Sequence, residues 1–321
     1  MNRNTRRDFL KASTVAALAA GLGESAKPLL AQGTAPVTGV PAAAPGAQSF
    51  KPMALGWIVG TGDDPEAAIA KVHRLGVPTC QIEAGHLDAD LVSRLRTALH
   101  KYGIVATALG TSGPGPDIYN FYDGPLTLGI VPRTYRAQRI QKLKEFSDFA
   151  KQLGIPALRI HVGFIPEDPN DHLYRESIEA LREVIGYCRE NGQQFLYEAG
   201  TETPITMLRA IEDVGLDNQG VNLDTANLIL YGKANPLDAL DVIGRYVQGV
   251  HAKDGLYPTN PRDLGEEVPI PHGKVNFPKI IERLKELNYQ GAFTIEREIS
   301  GPEQMEDVKK ERDYLAKLIE A

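Results

Sequence analysis

From Met53 onward, short apolar runs alternate eight times with longer stretches of helical periodicity, and few folds accept that pattern. Apolar runs bounded by turn residues read as strands, and apolar residues at three- and four-residue spacing read as helices. Strands are expected at 53–59, 77–83, 103–109, 156–162, 193–198, 219–224, 247–252 and 291–297. Helices are expected near 65–75, 88–101, 133–153, 171–191, 203–213, 236–244, 276–287 and 302–319. Glycines in Leu75-Gly76-Val77, Tyr102-Gly103-Ile104 and Leu153-Gly154-Ile155 suit the left-handed residue that closes a helix. A strand followed by a helix, repeated, builds parallel βα units. Eight of each is the number that closes a (β/α)8 TIM barrel, a single-domain α/β fold of about 250 residues. A doubly wound open sheet is the competitor. It usually carries a Gly-rich phosphate turn after its first strand, and Gly60-Thr61-Gly62-Asp63 does not continue into one.

The residues ahead of the barrel read differently. Thr5-Arg6-Arg7-Asp8-Phe9-Leu10-Lys11 precedes an Ala-rich apolar run from Ala12 to Leu22. A twin arginine before a short apolar stretch is a Tat-type export address, so the Tat machinery is an expected partner and the periplasm the expected destination. The run is shorter than the about 20 apolar residues that span a bilayer, although an uncleaved signal would leave a membrane anchor. The expected division is a signal at 1–31, a flexible Ala/Pro/Gly-rich leader at 32–49 and the barrel at 50–321. Residues 1–31 hold five of the 35 Lys and Arg and two of the 41 Asp and Glu. Without them 30 basic residues face 39 acidic ones, a net charge of −9. Nucleic acid and anionic lipid are bound largely through Lys and Arg, so neither is expected as a partner. Cys80 and Cys188 fall in well-separated elements of a barrel and are expected as two free, buried thiols.

In such a barrel the carboxyl ends of the strands form the catalytic mouth. Polar residues end four successive strands: Gln-Phe-Leu-Tyr-Glu198, Val-Asn-Leu-Asp224, Gly-Val-His251 and Phe-Thr-Ile-Glu296. Three carboxylates converging with one imidazole need a cation among them, or one carboxylate must take up a proton. The donor set suits a single divalent metal ion, Mn(II) first, with Mg(II), Co(II) and Zn(II) open. Lys253 and Arg297 are the cations at hand, too few to neutralise all three acids. Other polar residues expected at the mouth, as substrate contacts, are His161 and Glu83 at the ends of strands four and two, Lys253, Asn227, Asp254 and His272. Two long connections follow strands and overhang the same face: 110–132, with Tyr119, Phe121 and Tyr122, and 254–275, with four prolines.

The motif-bearing segments are Tyr197-Glu198, Asn222-Leu223-Asp224-Thr225-Ala226-Asn227, Val250-His251-Ala252-Lys253-Asp254, Gly273-Lys274-Val275-Asn276-Phe277 and Thr294-Ile295-Glu296. On these, residues 53–319 resemble the xylose isomerase-like TIM-barrel superfamily, which includes sugar phosphate isomerases and epimerases of the tagatose 3-epimerase type, inosose dehydratase and endonuclease IV. The resemblance implies metal ligation by Glu198, Asp224, His251 and Glu296, with the two glutamates also acting as the acid/base pair. Departures are Asn227 where epimerases commonly have His, Arg262 as the first Arg after His251, and Pro271-His272-Gly273 where Gly-acidic-Gly is frequent.

A divalent ion polarises a carbonyl and its neighbouring hydroxyl and acidifies the C–H between them, so proton transfer through an enediolate is the expected chemistry. Return of the proton to the opposite face gives an epimer, return to the neighbouring carbon gives an isomer, and loss of a β leaving group gives elimination. The ligands suit all three. The expected substrate is a small sugar or keto-sugar, with a metal-dependent isomerase or epimerase as the first reading and a lyase or dehydratase eliminating from 3-keto-glycosides as the alternative. A non-catalytic sugar-binding barrel and a homo-oligomer both stay open.

Overall fold

The computed structural model describes residues 50–321 apart from His86, Ala89 and Ser112. The signal and leader expected at 1–31 and 32–49 lie outside the described residues. Eight parallel strands close into a barrel: β1 Leu55–Gly60, β2 Thr79–Glu83, β3 Val105–Gly110, β4 Ala157–Ile160, β5 Gln194–Glu198, β6 Gln219–Asp224, β7 Val247–Ala252 and β8 Phe293–Ile295. Each strand pairs with its neighbours in sequence, and β8 closes on β1 with Leu55 opposite Phe293. The main helices are α1 Pro65–Leu75, α2 Leu91–Tyr102, α3 Arg133–Leu153, α4 His172–Glu190, α5 Pro204–Val214, α6 Pro236–Ile243, α7 Phe277–Glu286 and α8 Pro302–Glu320. One main helix follows each strand, as the alternation predicts, with short helical turns at Gly124–Thr127 and Asn227–Leu230 ahead of α3 and α6.

Local sequence explains the boundaries. Asp64-Pro65, Thr203-Pro204 and Asn235-Pro236 open α1, α5 and α6, where the polar side chain caps a free N–H and proline takes the first helical position. Gly76, Gly103 and Gly154 close α1, α2 and α3 with positive φ, as expected. β8 is shorter than its expected span of 291–297, because the chain leaves the sheet after Ile295. Cys80 and Cys188 are free and buried, as expected, and burial pushes both thiols up to about 12.

The large apolar core lies between strands and helices. A separate small cluster of Ala108, Ala157 and Leu196 lies on the alternate parity of β3, β4 and β5. That parity faces the barrel axis, and higher up it carries Gly110, Arg159 and Glu198. The interior is therefore apolar and small at one level, and charged at the next. Strand pairing slips by one residue opposite Gln81 and again opposite Asn222. Bulges of this kind re-aim side chains beside active sites.

Arg139 of α3 holds the long 110–132 connection. Its guanidinium donates to the carbonyls of Pro114 (3.0 Å), Pro116 (2.9 Å), Gly129 (2.7 Å) and Thr127, and pairs with Asp117 at 3.0 Å. The Arg139 side chain is 3% exposed. Arg139→Met should leave these buried acceptors unpaired and destabilise the protein by about 3 kcal/mol. Hydrogen exchange should quicken across 113–130 and stay unchanged in β5–β7; uniform quickening would show that the residue supports the whole barrel instead.

Candidate metal centre

The carboxyl ends of β5, β6, β7 and β8 bring Glu198, Asp224, His251 and Glu296 together. One donor atom from each lies within 4.8 Å of the others. Asp224 is fixed by its own loop, its Oδ1 accepting from the amides of Ala226 (2.9 Å) and Asn227 (2.7 Å), which leaves Oδ2 facing the cluster. His251 is oriented from below. Its Nε2 lies 2.9 Å from Gln81 Oε1, and Gln81 Nε2 donates in turn to Asn222 Oδ1 at 3.0 Å. Because Gln81 Oε1 can only accept, Nε2 carries a proton and Nδ1 faces the carboxylates. An amide oxygen that accepts from the far ring nitrogen in this way commonly fixes the tautomer of a metal-ligating histidine.

Nδ1 is 3.0 Å from Glu198 Oε1, 3.0 Å from Glu296 Oε2 and 3.7 Å from Asp224 Oδ2. Yet His251 Nδ1, Asp224 Oδ2 and Glu296 Oε2 are buried without a hydrogen-bond partner. Four donor atoms that converge on a point, three of them without a hydrogen-bond partner, fit a cation between them. The charge count agrees. Lys253, 1% exposed, lies 2.8 Å from Glu298, 3.5 Å from Glu296 and 3.8 Å from Asp224, and Arg159 pairs with both Glu198 and Glu83. Five carboxylates thus share two permanent cations.

Burial pushes the Glu198 and Glu296 carboxyls up, but the cations outweigh it: Arg159, His161 and His251 hold Glu198 down, and Lys253 and His251 hold Glu296 down. Asp224 responds differently, raised by burial to about 7 despite Lys253. Burial lowers His251, but Glu296 and Glu198 more than reverse this and lift it well above its ordinary value. Asp224 and His251 therefore both hold a proton more readily than they would in water.

A cavity of about 360 Å3 opens beside the cluster, lined among others by Glu83, Arg159, His161, Tyr119, Glu198 and Glu296. The 110–132 connection forms part of its wall, as expected, and Tyr119 meets the His161 ring edge-on with centroids 5.8 Å apart. Phe121 and Phe164 pack against Tyr231, whose buried hydroxyl has no partner among the described residues. Burial keeps His161 neutral by lowering its pKa, against the pull of Glu198.

Of the residues expected to touch substrate, His161 and Glu83 line this cavity and the other four do not. Lys253 is spent on the carboxylates around it, and Asn227 Oδ1 accepts from Lys253 at 3.3 Å. Asp254 accepts from the amides of Gly255, Gly273 and Val275 at 2.8–3.0 Å, so it clamps the far end of the 254–275 connection. His272 is exposed on that connection. Sequence reasoning missed Arg159, Gln81, Glu298 and Tyr231. For Arg159 and Gln81 a signal was present: each is a polar residue two positions before another mouth-facing polar residue, His161 or Glu83.

Glu202, just past β5, is fully buried. Its Oε2 accepts from Thr201 Oγ1 at 2.6 Å, its Oε1 from nothing described, and burial raises the carboxyl to about 7. A raised folded-state pKa gives stability that is complete below about pH 4.5 and lost as pH climbs through 7. Glu202→Gln removes that loss, so the variant should gain up to about 3 kcal/mol at pH 8 and nothing at pH 4 in urea unfolding. Equal shifts at both pH values would refute this account.

Known proteins match both the fold and the leader. Residues 69–318 match the model described as xylose isomerase-like TIM barrel, and the chain belongs to that family. Residues 3–23 match the signal sequence of the twin-arginine translocation pathway, which supports export by that machinery. No helix among the described residues is long and apolar enough to cross a membrane. An uncharacterised protein of Methanocaldococcus jannaschii is 26% identical over 197 residues, 58% of this chain and 64% of its own length, so the match spans less than two thirds of that relative. A xylose isomerase domain protein from Planctomyces limnophilus is 32% identical with a TM-score of 0.79, covering 83% of this chain and 97% of that one. A xylose isomerase-like TIM barrel protein from Mycobacterium smegmatis, solved in complex with magnesium, is 20% identical (TM-score 0.62, 85% and 98% covered). The 3-keto-D-glucoside 4-epimerase of E. coli is 14% identical (TM-score 0.64, 83% and 99% covered). The last two share the fold.

Proposed function

We propose that the protein is an exported, metal-dependent isomerase or epimerase of uncharged carbonyl sugars, with Glu198 and Glu296 as its proton-transfer pair. The observation that carries the reading is the convergence of four donor atoms within 4.8 Å, three of them buried and unbonded. A divalent ion held by Glu198, Asp224, His251 and Glu296 supplies Lewis-acid polarisation of a carbonyl and its adjacent hydroxyl. Mn(II) is the first candidate, and the magnesium in the Mycobacterium smegmatis relative keeps Mg(II) beside it.

The chain's own residues do the rest. Glu296, 12% exposed at the cavity wall, is placed to take the proton from carbon, and Glu198 lines the same cavity from β5. Lys253 keeps Glu296 ionised between transfers. His161 and Glu83 offer hydrogen bonds to sugar hydroxyls, and the Tyr119 face suits a ring's C–H surface. The substrate class follows from charge. The three arginines that line the cavity are taken: Arg139 by Asp117, Arg159 by Glu83 and Glu198, Arg297 by Glu267 (2.7 Å) and Asp307 (3.1 Å). A phosphate or uronate carboxylate would meet paired cations and open acids, so a neutral sugar is the better ligand. The Tat signal agrees, since it suits a folded, metal-loaded enzyme acting in the periplasm, or at the membrane if the signal is retained.

A second reading, β-elimination from a 3-keto-glycoside, uses the same groups. It is favoured by the likeness to a barrel named for a 3-keto-D-glucoside and by the exposed Tyr122 and Tyr257 on the mouth connections, where an aglycone would extend. Incubating metal-loaded protein with keto-sugars and 3-keto-glycosides in D2O separates the readings. Deuterium incorporation without aglycone release supports isomerisation or epimerisation, and release supports elimination. Absence of both would sink the proton-transfer proposal.

A further inference from the structure

Arg159 on β4 is a buried arginine, 5% exposed, that lines the cavity. Its Nη1 pairs with Glu198 Oε2 and its Nη2 with Glu83 Oε1. The two oxygens of Glu198 therefore serve different partners. Oε1 lies 3.0 Å from His251 Nδ1, inside the cluster, while Oε2 is held by the guanidinium outside it. Glu83 is the opposite anchor, with a side chain 40% exposed along the cavity wall. The adjacent strand is shaped around this pair. Gly110 ends β3, and a Cβ at that position would fall on Arg159 Nη2 and on the Glu83 carboxylate.

We propose that Arg159 is a positioning residue: tied between Glu83 and Glu198, it keeps Glu198 a one-oxygen ligand and fixes the plane of its carboxylate. This rests on the cluster being a metal site. The planar fork of an arginine matches two carboxylates at once, which the point charge of a lysine does not. The arrangement carries a cost that makes it testable. A guanidinium beside a ligand carboxylate repels the bound ion even as it aims the ligand. Removing it should move ion affinity and turnover in opposite directions. A residue that only supported the barrel would weaken both.

The test uses Arg159→Met, Arg159→Lys and Gly110→Ala in the full chain, with Mn(II) titrated by calorimetry into chelator-stripped protein. Arg159→Met should bind Mn(II) roughly tenfold more tightly, because a nearby positive charge is gone. Its kcat should fall about 100-fold with KM within about threefold, the signature of lost orientation. The Mn(II) electron paramagnetic resonance spectrum should change as Glu198 gains a second ligating oxygen. Arg159→Lys should keep wild-type affinity and recover only part of kcat. Gly110→Ala displaces the fork without removing charge, so it should lower kcat at unchanged affinity; it carries the test if Arg159→Met does not fold. Weaker Mn(II) binding in Arg159→Met with turnover restored by saturating metal would overturn the proposal, as would wild-type kcat in Gly110→Ala. If the wild type turns over no carbonyl sugar, the proposed reaction fails by itself, and affinity and spectrum still decide the role of Arg159.

Discussion

Glu296→Gln should lower kcat by about a thousandfold, because a general base removed from the reacting carbon costs roughly 10²- to 10⁴-fold. Glu296 is the right member of the pair to test first. It is the more exposed of the two glutamates at the cavity, and Lys253 stays to hold the site's charge after the substitution. Glutamine keeps one oxygen to face the cluster, so the ion should be retained with weakened affinity, and kcat is to be compared at saturating metal. Glu198→Gln is a less clean probe, since it strips Arg159 of one carboxylate partner at the same time. The comparison also separates an enzyme from a non-catalytic sugar-binding barrel, which would keep its ligand affinity in Glu296→Gln and have no turnover to lose. A metal-loaded variant with more than a tenth of wild-type kcat would remove Glu296 from the role of base.

The site was legible from sequence to the extent that it follows strand parity. A polar residue at the carboxyl end of an apolar strand has one direction to point, and four such residues on consecutive strands must meet. Glu198, Asp224, His251 and Glu296 therefore emerged together, and the eight strands emerged from the alternation that places them. Parity alone does not tell how far up the axis a side chain reaches, or what it spends its charge on. Lys253 has the expected direction, yet its ammonium is absorbed by Glu298 and Glu296 before it reaches the cavity. Asp254 is one residue on, has the opposite parity and turns to the backbone of the 271–275 segment. Gln81 and Asn222 meet across the barrel axis from strands 141 residues apart in the chain, at levels where the pairing slips. No local pattern announces such a pair. Arg159 sat in plain view inside Leu-Arg-Ile-His161, on the same parity as His161, but its meaning depends on Glu83 and Glu198 arriving from two other strands.

Binding of a divalent ion should stabilise the protein most at alkaline pH, and the sign follows from the groups that the ion displaces. His251 and Asp224 both have folded-state values above their ordinary ones, Asp224 at about 7. Each contributes stability to the ion-free protein that is complete at low pH and lost as pH rises, for Asp224 between about 4 and 7. Glu198 and Glu296, held low, contribute the reverse, but only below about pH 4.5. Between pH 5 and 8 the ion-free cluster should therefore lose stability as its protons leave. An ion takes the place of those protons, so its apparent affinity should rise by about tenfold per pH unit for each proton released. At a hundredfold excess over Kd, ligation adds about 2.7 kcal/mol. For a barrel of this size that corresponds to a rise in Tm of roughly 5–10 °C. Chelator-stripped protein should accordingly melt lower at pH 8 than at pH 5.5, and adding Mn(II) should raise Tm by more at pH 8. Turnover should vanish on stripping and return with the ion. Gln81→Leu frees His251 Nε2 and should weaken the ion further without touching any ligand. An equal Tm at pH 8 with and without each of Mn(II), Mg(II), Co(II) and Zn(II) would mean that the cluster is a proton-bridged network, and the metal reading of Glu198, Asp224, His251 and Glu296 would fall with it.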